Sequence, residues 1–264
     1  MGSDAGPASS RPPQLTFIGS YAPASAPGIH LFLLDESAET LIPVEAAGGV
    51  ENPSFLALHP GGEHLFAVEE VGGGSPGAVH AFRIERDGRF VSLQPLNRQP
   101  SEGEYPCHLL IDRDGSWLIV SNYGSGSGAV LPILADGSLG PPVARFQHPG
   151  SGPNAGRQEG PHLHSTIFAP NGRHLIAADL GIDRLVVYEF DGSAGGVTGI
   201  GDVPLHPGAG PRHLAFHPDG VHLFVVGELD STVSVMRYDG STGELRLLQT
   251  LPTTGEGAPD NTAA

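Results

Sequence analysis

The sequence has 264 residues, including 39 Gly and 25 Pro, and 39% of it is hydrophobic. That apolar share is enough for a core, and Gly and Pro punctuate short apolar runs instead of forming tracts, which points to an all-β protein rich in turns. The formal charge is −16 and all 13 cations are Arg, which excludes a general nucleic-acid or anionic-membrane binder, since these need a basic face.

Residues 1–13 carry no apolar signal core and read as a disordered leader, with the folded domain at 14–264 and a cytoplasmic location as the default. No apolar run reaches the ~18 residues of a membrane span. The single cysteine, Cys107, excludes an intramolecular disulfide and a Cys-based zinc site.

Three strands come first, LTFIGSY (15–21), GIHLFLL (28–34) and LIPVEAA (41–47). A repeating unit follows. Segments 52–70, 105–123, 162–180 and 210–228 align on Gly62, Gly115, Gly172 and Gly220, at spacings of 53, 57 and 48 residues. Each is an apolar run, a Pro-Asp-Gly type turn and a second apolar run, which predicts two antiparallel strands. Val-rich third runs follow at 77–84, 128–135, 184–190 and 232–238. Turns at Asp87-Gly88, Asp136-Gly137 and Thr242-Gly243 lead to fourth strands such as 245–251. A period near 50 with four strands per unit predicts the blades of a β-propeller. The N-terminal strands supply strands b, c and d of a further blade without its strand a. About five of seven blades are thus expected here, with a C-terminal truncation.

The repeat fixes where side chains go. Strand a lines the central channel, and its start shares a face with the end of strand b. Eight residues before each turn glycine stand Ser54, Cys107, His164 and Arg212; eight after stand Glu70, Tyr123, Leu180 and Glu228. His164, Arg212 and Glu228 are therefore expected at one channel mouth, where an imidazole, a cation and a carboxylate can bind an anion and move a proton. The 14-residue connection 148–161 should cross the same mouth and carries Arg157 and Gln158 towards His162.

Bland readings stand beside these. His59 and His217 belong to turns. His108 and His213 should face away from the channel by the period of 2. His162 and His164 have metal-ligand spacing but no carboxylate within the motif, so no metal is expected. Cys107 reads as a small channel residue, and Asp179 and Asp183 as structural. GSGSG (124–128) has no helix after it, which argues against a nucleotide site.

NYGSGS (122–127), RQEGPHLHS (157–165), AADLGIDRL (177–185), PGAGPRHLAFHPDG (207–220) and GELDSTVSV (227–235) together resemble the lactonase family of seven-bladed β-propellers, over about 15–264. This family includes propeller-type 6-phosphogluconolactonases and fungal carboxy-cis,cis-muconate cyclases. The resemblance implies a cofactor-free lactone-processing enzyme acting on a small anionic lactone, foremost hydrolysis of 6-phospho-D-glucono-1,5-lactone in the pentose phosphate pathway. It implies His164, Arg212 and Glu228 as catalytic residues; the loop over the mouth adds Arg157 and His162 as candidate substrate-binding residues. A second family Arg, in a Ser-Asn-Arg motif of the next blade, is not in this chain. Gly227 stands where the family usually has Asn. The alternatives are a muconate lactonising cyclase and a non-catalytic propeller platform.

Overall fold

The computed structural model describes residues 14–87 and 90–255. The expected leader at 1–13 and Gly88 of one expected turn lie outside the described residues.

Five antiparallel sheets follow in chain order, each a simple meander. The first holds β1 (Gln14–Gly19), β2 (Ile29–Asp35) and β3 (Thr40–Ala47). The second holds β4 (Leu56–Leu58), β5 (His64–Glu69), β6 (Ala78–Asp87) and β7 (Phe90–Pro100). The third holds β8 (Pro106–Ile111), β9 (Trp117–Asn122), β10 (Ser127–Pro132) and β11 (Ala144–Gln147). The fourth holds β12 (Leu163–Phe168), β13 (His174–Asp179), β14 (Arg184–Asp191) and β15 (Gly196–Pro204). The fifth holds β16 (Pro211–Phe216), β17 (His222–Gly227), β18 (Thr232–Tyr238) and β19 (Leu245–Pro252). The expected three-stranded first sheet and the four-stranded repeats are therefore present. We number the sheets as blades 1 to 5.

The turn glycines explain the first reversal of each repeat. Gly62, Gly115, Gly172 and Gly220 have φ of 73°, 73°, 69° and 70°, a left-handed conformation that a Cβ disfavours. Each closes a turn by donating its N–H to the carbonyl three residues back, as Gly220 does to His217 at 2.9 Å.

The core is a series of layers between neighbouring blades. On β5, Leu65 and Ala67 pack with Ile29 and Leu31 of blade 1, while Phe66 and Val68 pack with Leu118 and Val120 of blade 3. Ile119 turns the other way, onto Leu163 and Leu175 of blade 4. Ile176 and Ala178 then meet Leu223 and Val225 of blade 5. Strands b of the inner blades are buried on both faces, which is why they read as unbroken apolar runs. Each fully buried Leu or Ile in these layers contributes about 1.5–3 kcal/mol. β17 differs: Leu223 and Val225 are buried but Phe224 is 37% exposed, because its far face meets no further sheet among the described residues.

Candidate active site

At the end of the channel where strands a begin, the blades enclose a cavity of about 500 Å³. Its walls include Tyr21, Ser54, Glu70, Cys107, Tyr123, Arg157, His164, Arg212 and Glu228. The convergence expected from the repeat is thus seen, with Leu180 the exception: it is fully buried outside the cavity, in a short 3-10 turn, Leu180–Ile182.

Two backbone devices build this mouth. The residue ten before the turn glycine is left-handed in three repeats, at Asn52, Tyr105 and Gly210 (φ 48°, 52° and 61°). In each, its carbonyl accepts the N–H of the residue that follows strand b: Glu70 at 3.3 Å, Tyr123 at 2.9 Å and Glu228 at 2.8 Å. That residue is thereby held beside the start of strand a. The second device is a register shift in strand a, between Pro106 and His108, Leu163 and Ser165, and Pro211 and Leu214. Cys107, His164, Arg212 and His213 sit in these bulges, which turn side chains inward.

The bulges correct one expectation. His213 lines the cavity instead of facing away, because the one-residue bulge between Pro211 and Leu214 breaks the period of 2. His108 is not part of the cavity lining; its ring is tilted against Phe55 at 4.5 Å and His213 at 5.8 Å. Its Nδ1 is buried without a hydrogen-bond partner.

Glu228 organises the blade 5 wall. Its Oε1 accepts from Arg157 Nη2 at 2.5 Å and its Oε2 from Arg212 Nε at 2.9 Å. The bond to Glu228 raises the Arg157 pKa. His164 Nε2 lies 3.8 Å from Glu228 Oε2. Burial, followed by the Arg212 charge, pushes the His164 pKa down to about 3, so its imidazole is neutral at pH 7. Cys107 Sγ lies 3.3 Å from the His164 carbonyl oxygen. Burial and then the Glu70 charge push its thiol well above the ordinary range, so it is no ready nucleophile.

Arg157 is delivered by the 148–161 connection, which is anchored by Gln158. This fully buried side chain donates to the Leu180 carbonyl at 2.8 Å and to Asp183 Oδ1 at 2.7 Å. Asp183 also accepts from Gly208 N and Gly210 N at 2.7 and 2.8 Å. Asp179 accepts from His162 N at 2.7 Å and pairs with His148 at 2.6 Å. The two aspartates therefore tie the Arg157 loop to the chain that presents Arg212.

Of the five residues singled out in the sequence, His164, Arg212, Glu228 and Arg157 meet in the cavity. His162 does not: its ring is stacked on Tyr123 at 4.4 Å and its Nδ1 faces the Tyr123 carbonyl oxygen at 3.0 Å, outside the cavity wall. It also does not converge with His164 as a ligand pair. Among the described residues, three possible metal donors lie together only at His217, Asp219 and His222, on an exposed turn at the other end of β16 and β17. Tyr21, Ser54 and Glu70 were not assigned a role from sequence, although Ser54 and Glu70 occupy the same repeat offsets as Arg212 and Glu228.

The Gly227 departure has a steric cause. A Cβ there would lie 2.6 Å from Asp230 Oδ1 and 2.7 Å from Thr232 Oγ1. Those two side chains fill the space an Asn would use.

Comparison with known proteins agrees with this fold. The family described as "Lactonase, 7-bladed beta-propeller" matches residues 15–264. The 6-phosphogluconolactonase of Bacillus subtilis is 34% identical over 93% of this chain and 68% of its own length. Among solved structures, one from Bacteroides fragilis has a TM-score of 0.86 at 31% identity, covering 96% of this chain and 71% of that one. The periplasmic gluconolactonase PpgL of Pseudomonas aeruginosa has a TM-score of 0.83 at 31% identity, covering 94% and 70%. The chain spans about two thirds of the length of these relatives. It belongs to the lactonase family of seven-bladed β-propellers.

Proposed function

We propose that this chain hydrolyses a sugar lactone, 6-phospho-D-glucono-1,5-lactone foremost, to the open aldonate. The observation that carries the reading is the cluster of a neutral His164 beside a carboxylate clamped by two guanidinium groups in one cavity. The relatives named 6-phosphogluconolactonase and gluconolactonase support the substrate class.

The roles follow from which atoms are free. Both Glu228 oxygens already accept from a charged donor, so this carboxylate is placed to orient the two guanidinium groups. The ring nitrogens of His164 make only long contacts, Nε2 at 3.8 Å from Glu228 Oε2 and Nδ1 at 4.0 Å from Cys107 Sγ, which leaves room for water beside the ring. His164 takes the proton as water adds to the lactone carbonyl carbon. The carbonyl oxygen becomes an oxyanion beside Arg212, which spends its Nε on Glu228 and keeps its terminal N–H groups for the substrate. The ring C–O bond then breaks, and the ring oxygen takes the proton back from His164. Arg157, with a 41% exposed side chain, meets the anionic group. Sugar-phosphate chemistry supports a cytoplasmic location, and no helix among the described residues is long and apolar enough to cross a membrane.

The test is hydrolysis of 6-phospho-D-glucono-1,5-lactone and of a carboxymuconolactone side by side, each corrected for its uncatalysed rate. Turnover of the sugar lactone, reduced about 10²-fold or more in kcat/KM by His164→Asn, supports the reading. Turnover of the muconolactone alone assigns the cyclase instead. Equal sugar-lactone rates with and without the protein overturn the proposal.

A further inference from the structure

The cavity has a second polar wall that the chemistry above does not use. Glu70, the residue after β5, faces it from blade 2. Its Oε2 accepts hydrogen bonds from the Tyr21 hydroxyl at 3.0 Å and from the Ser54 hydroxyl. No described cation pairs with it. The three side chains come from two blades, and Asn52 fixes the Glu70 backbone from both sides: its carbonyl accepts Glu70 N–H, and its side-chain amide donates to the Glu70 carbonyl at 3.3 Å.

The two walls are therefore opposite in character. Around Glu228 one carboxylate faces two guanidinium groups; around Glu70 one carboxylate faces only neutral hydroxyls. An anionic substrate group is attracted to the first wall and repelled by the second. A carboxylate flanked by hydroxyls is a strong acceptor array, suited to the O–H groups of a polyol. The 500 Å³ cavity has the size of a small-molecule site, about 300–1,000 Å³.

We propose that Glu70, Ser54 and Tyr21 form a hydroxyl-binding subsite that selects polyhydroxylated lactones and orients them with their anionic or acyl end towards Arg157 and Arg212. The subsite rests on the lactonase reading for its role in turnover, but not for its ability to bind a polyol. A site built to hydrogen-bond hydroxyls discriminates against analogues that lack them.

The experiment compares D-glucono-1,5-lactone with δ-valerolactone, which has the same ring and no hydroxyl groups, in the 264-residue chain and in Glu70→Gln, Ser54→Ala and Tyr21→Phe. Glu70→Gln should lower the ratio of the two kcat/KM values about tenfold or more, through KM for the hydroxylated lactone. Ser54→Ala and Tyr21→Phe should lower it less. An unchanged ratio overturns the subsite, even if both rates fall. Calorimetric titration with D-glucitol, a neutral polyol, separates this result from failure of the lactonase reading. Should neither lactone be turned over, glucitol binding that weakens in Glu70→Gln keeps the subsite. Absent binding, or binding equal in both proteins, removes it.

Discussion

Blades 2 and 5 use the same backbone to opposite electrostatic ends. In both, a residue eight before the turn glycine bonds to a glutamate eight after it, and a left-handed residue ten before that glycine holds the glutamate backbone. In blade 2 the donor is Ser54 and no described cation pairs with the carboxylate. In blade 5 the donor is Arg212, Arg157 adds a second cation, and the wall is net positive. Position alone, then, does not assign a function to a repeat offset. The partner at the start of strand a decides whether the glutamate is a hydroxyl acceptor or the centre of a cationic clamp.

The sharpest way to break this comparison is to neutralise each carboxylate in turn. Glu228→Gln should lower kcat/KM for the sugar lactone about 10²-fold or more, since both guanidinium groups lose the charge that orients them. The loss expected for Glu70→Gln is about tenfold, confined to hydroxylated substrates. Equal losses in steady-state assays would mean the two walls do the same work.

A smaller effect comes from the loop between blades 3 and 4 that brings Arg157 to Glu228. Gln158→Ala leaves the buried Leu180 carbonyl and Asp183 Oδ1 short of a donor and releases Arg157. Stability should fall by about 1–3 kcal/mol in urea titration, and kcat/KM by about tenfold. Wild-type kinetics with lowered stability would show that Arg157 does not depend on this anchor.

The linked rings of His108, His213 and His164 give a pH signature. Burial pushes the pKa values of His108 and His164 down to about 3, so the folded state keeps these two neutral, and burial lowers that of His213. The unfolded chain takes up these protons near pH 6.5, so stability is full above that value and falls as the pH drops towards about 3. The urea midpoint should decline steadily from pH 7 to 4.5. His108→Phe, beside Phe55, should make the decline shallower; an unchanged slope would contradict burial of a neutral His108.

The smallest effect tests the scaffold. Gly210→Ala places a Cβ 2.5 Å from Leu229 Cγ at a φ of 61°, and should cost about 1–3 kcal/mol in a thermal or urea melt. A neutral result would mean that the left-handed residue does not hold Glu228.

Much of the fold was legible because it repeats. Turn glycines recur at a fixed place, and unbroken apolar runs report strands buried on both faces. The mouth residues followed from the same register, so His164, Arg212 and Glu228 could be placed together although far apart in sequence. What the period could not show is where it fails. The bulges beside Cys107, His164 and Arg212 have no composition signal, so His213 was assigned to the wrong side. His162 looked like a site residue because it shares a motif with His164, yet it stacks behind Tyr123. The Glu70 wall was overlooked for the opposite reason: Ser54 and Glu70 sat at the right offsets but carried no motif, and Tyr21 lies in the blade without a strand a.

The most direct test of the account is Arg212→Ser, which gives blade 5 the pairing found in blade 2. With the fold verified by circular dichroism, kcat/KM for 6-phospho-D-glucono-1,5-lactone should drop about 10²-fold or more, because the developing oxyanion loses its cation. A variant that turns over this lactone within about twofold of the parent chain would contradict the assignment of the blade 5 wall as the place where the ester is cleaved.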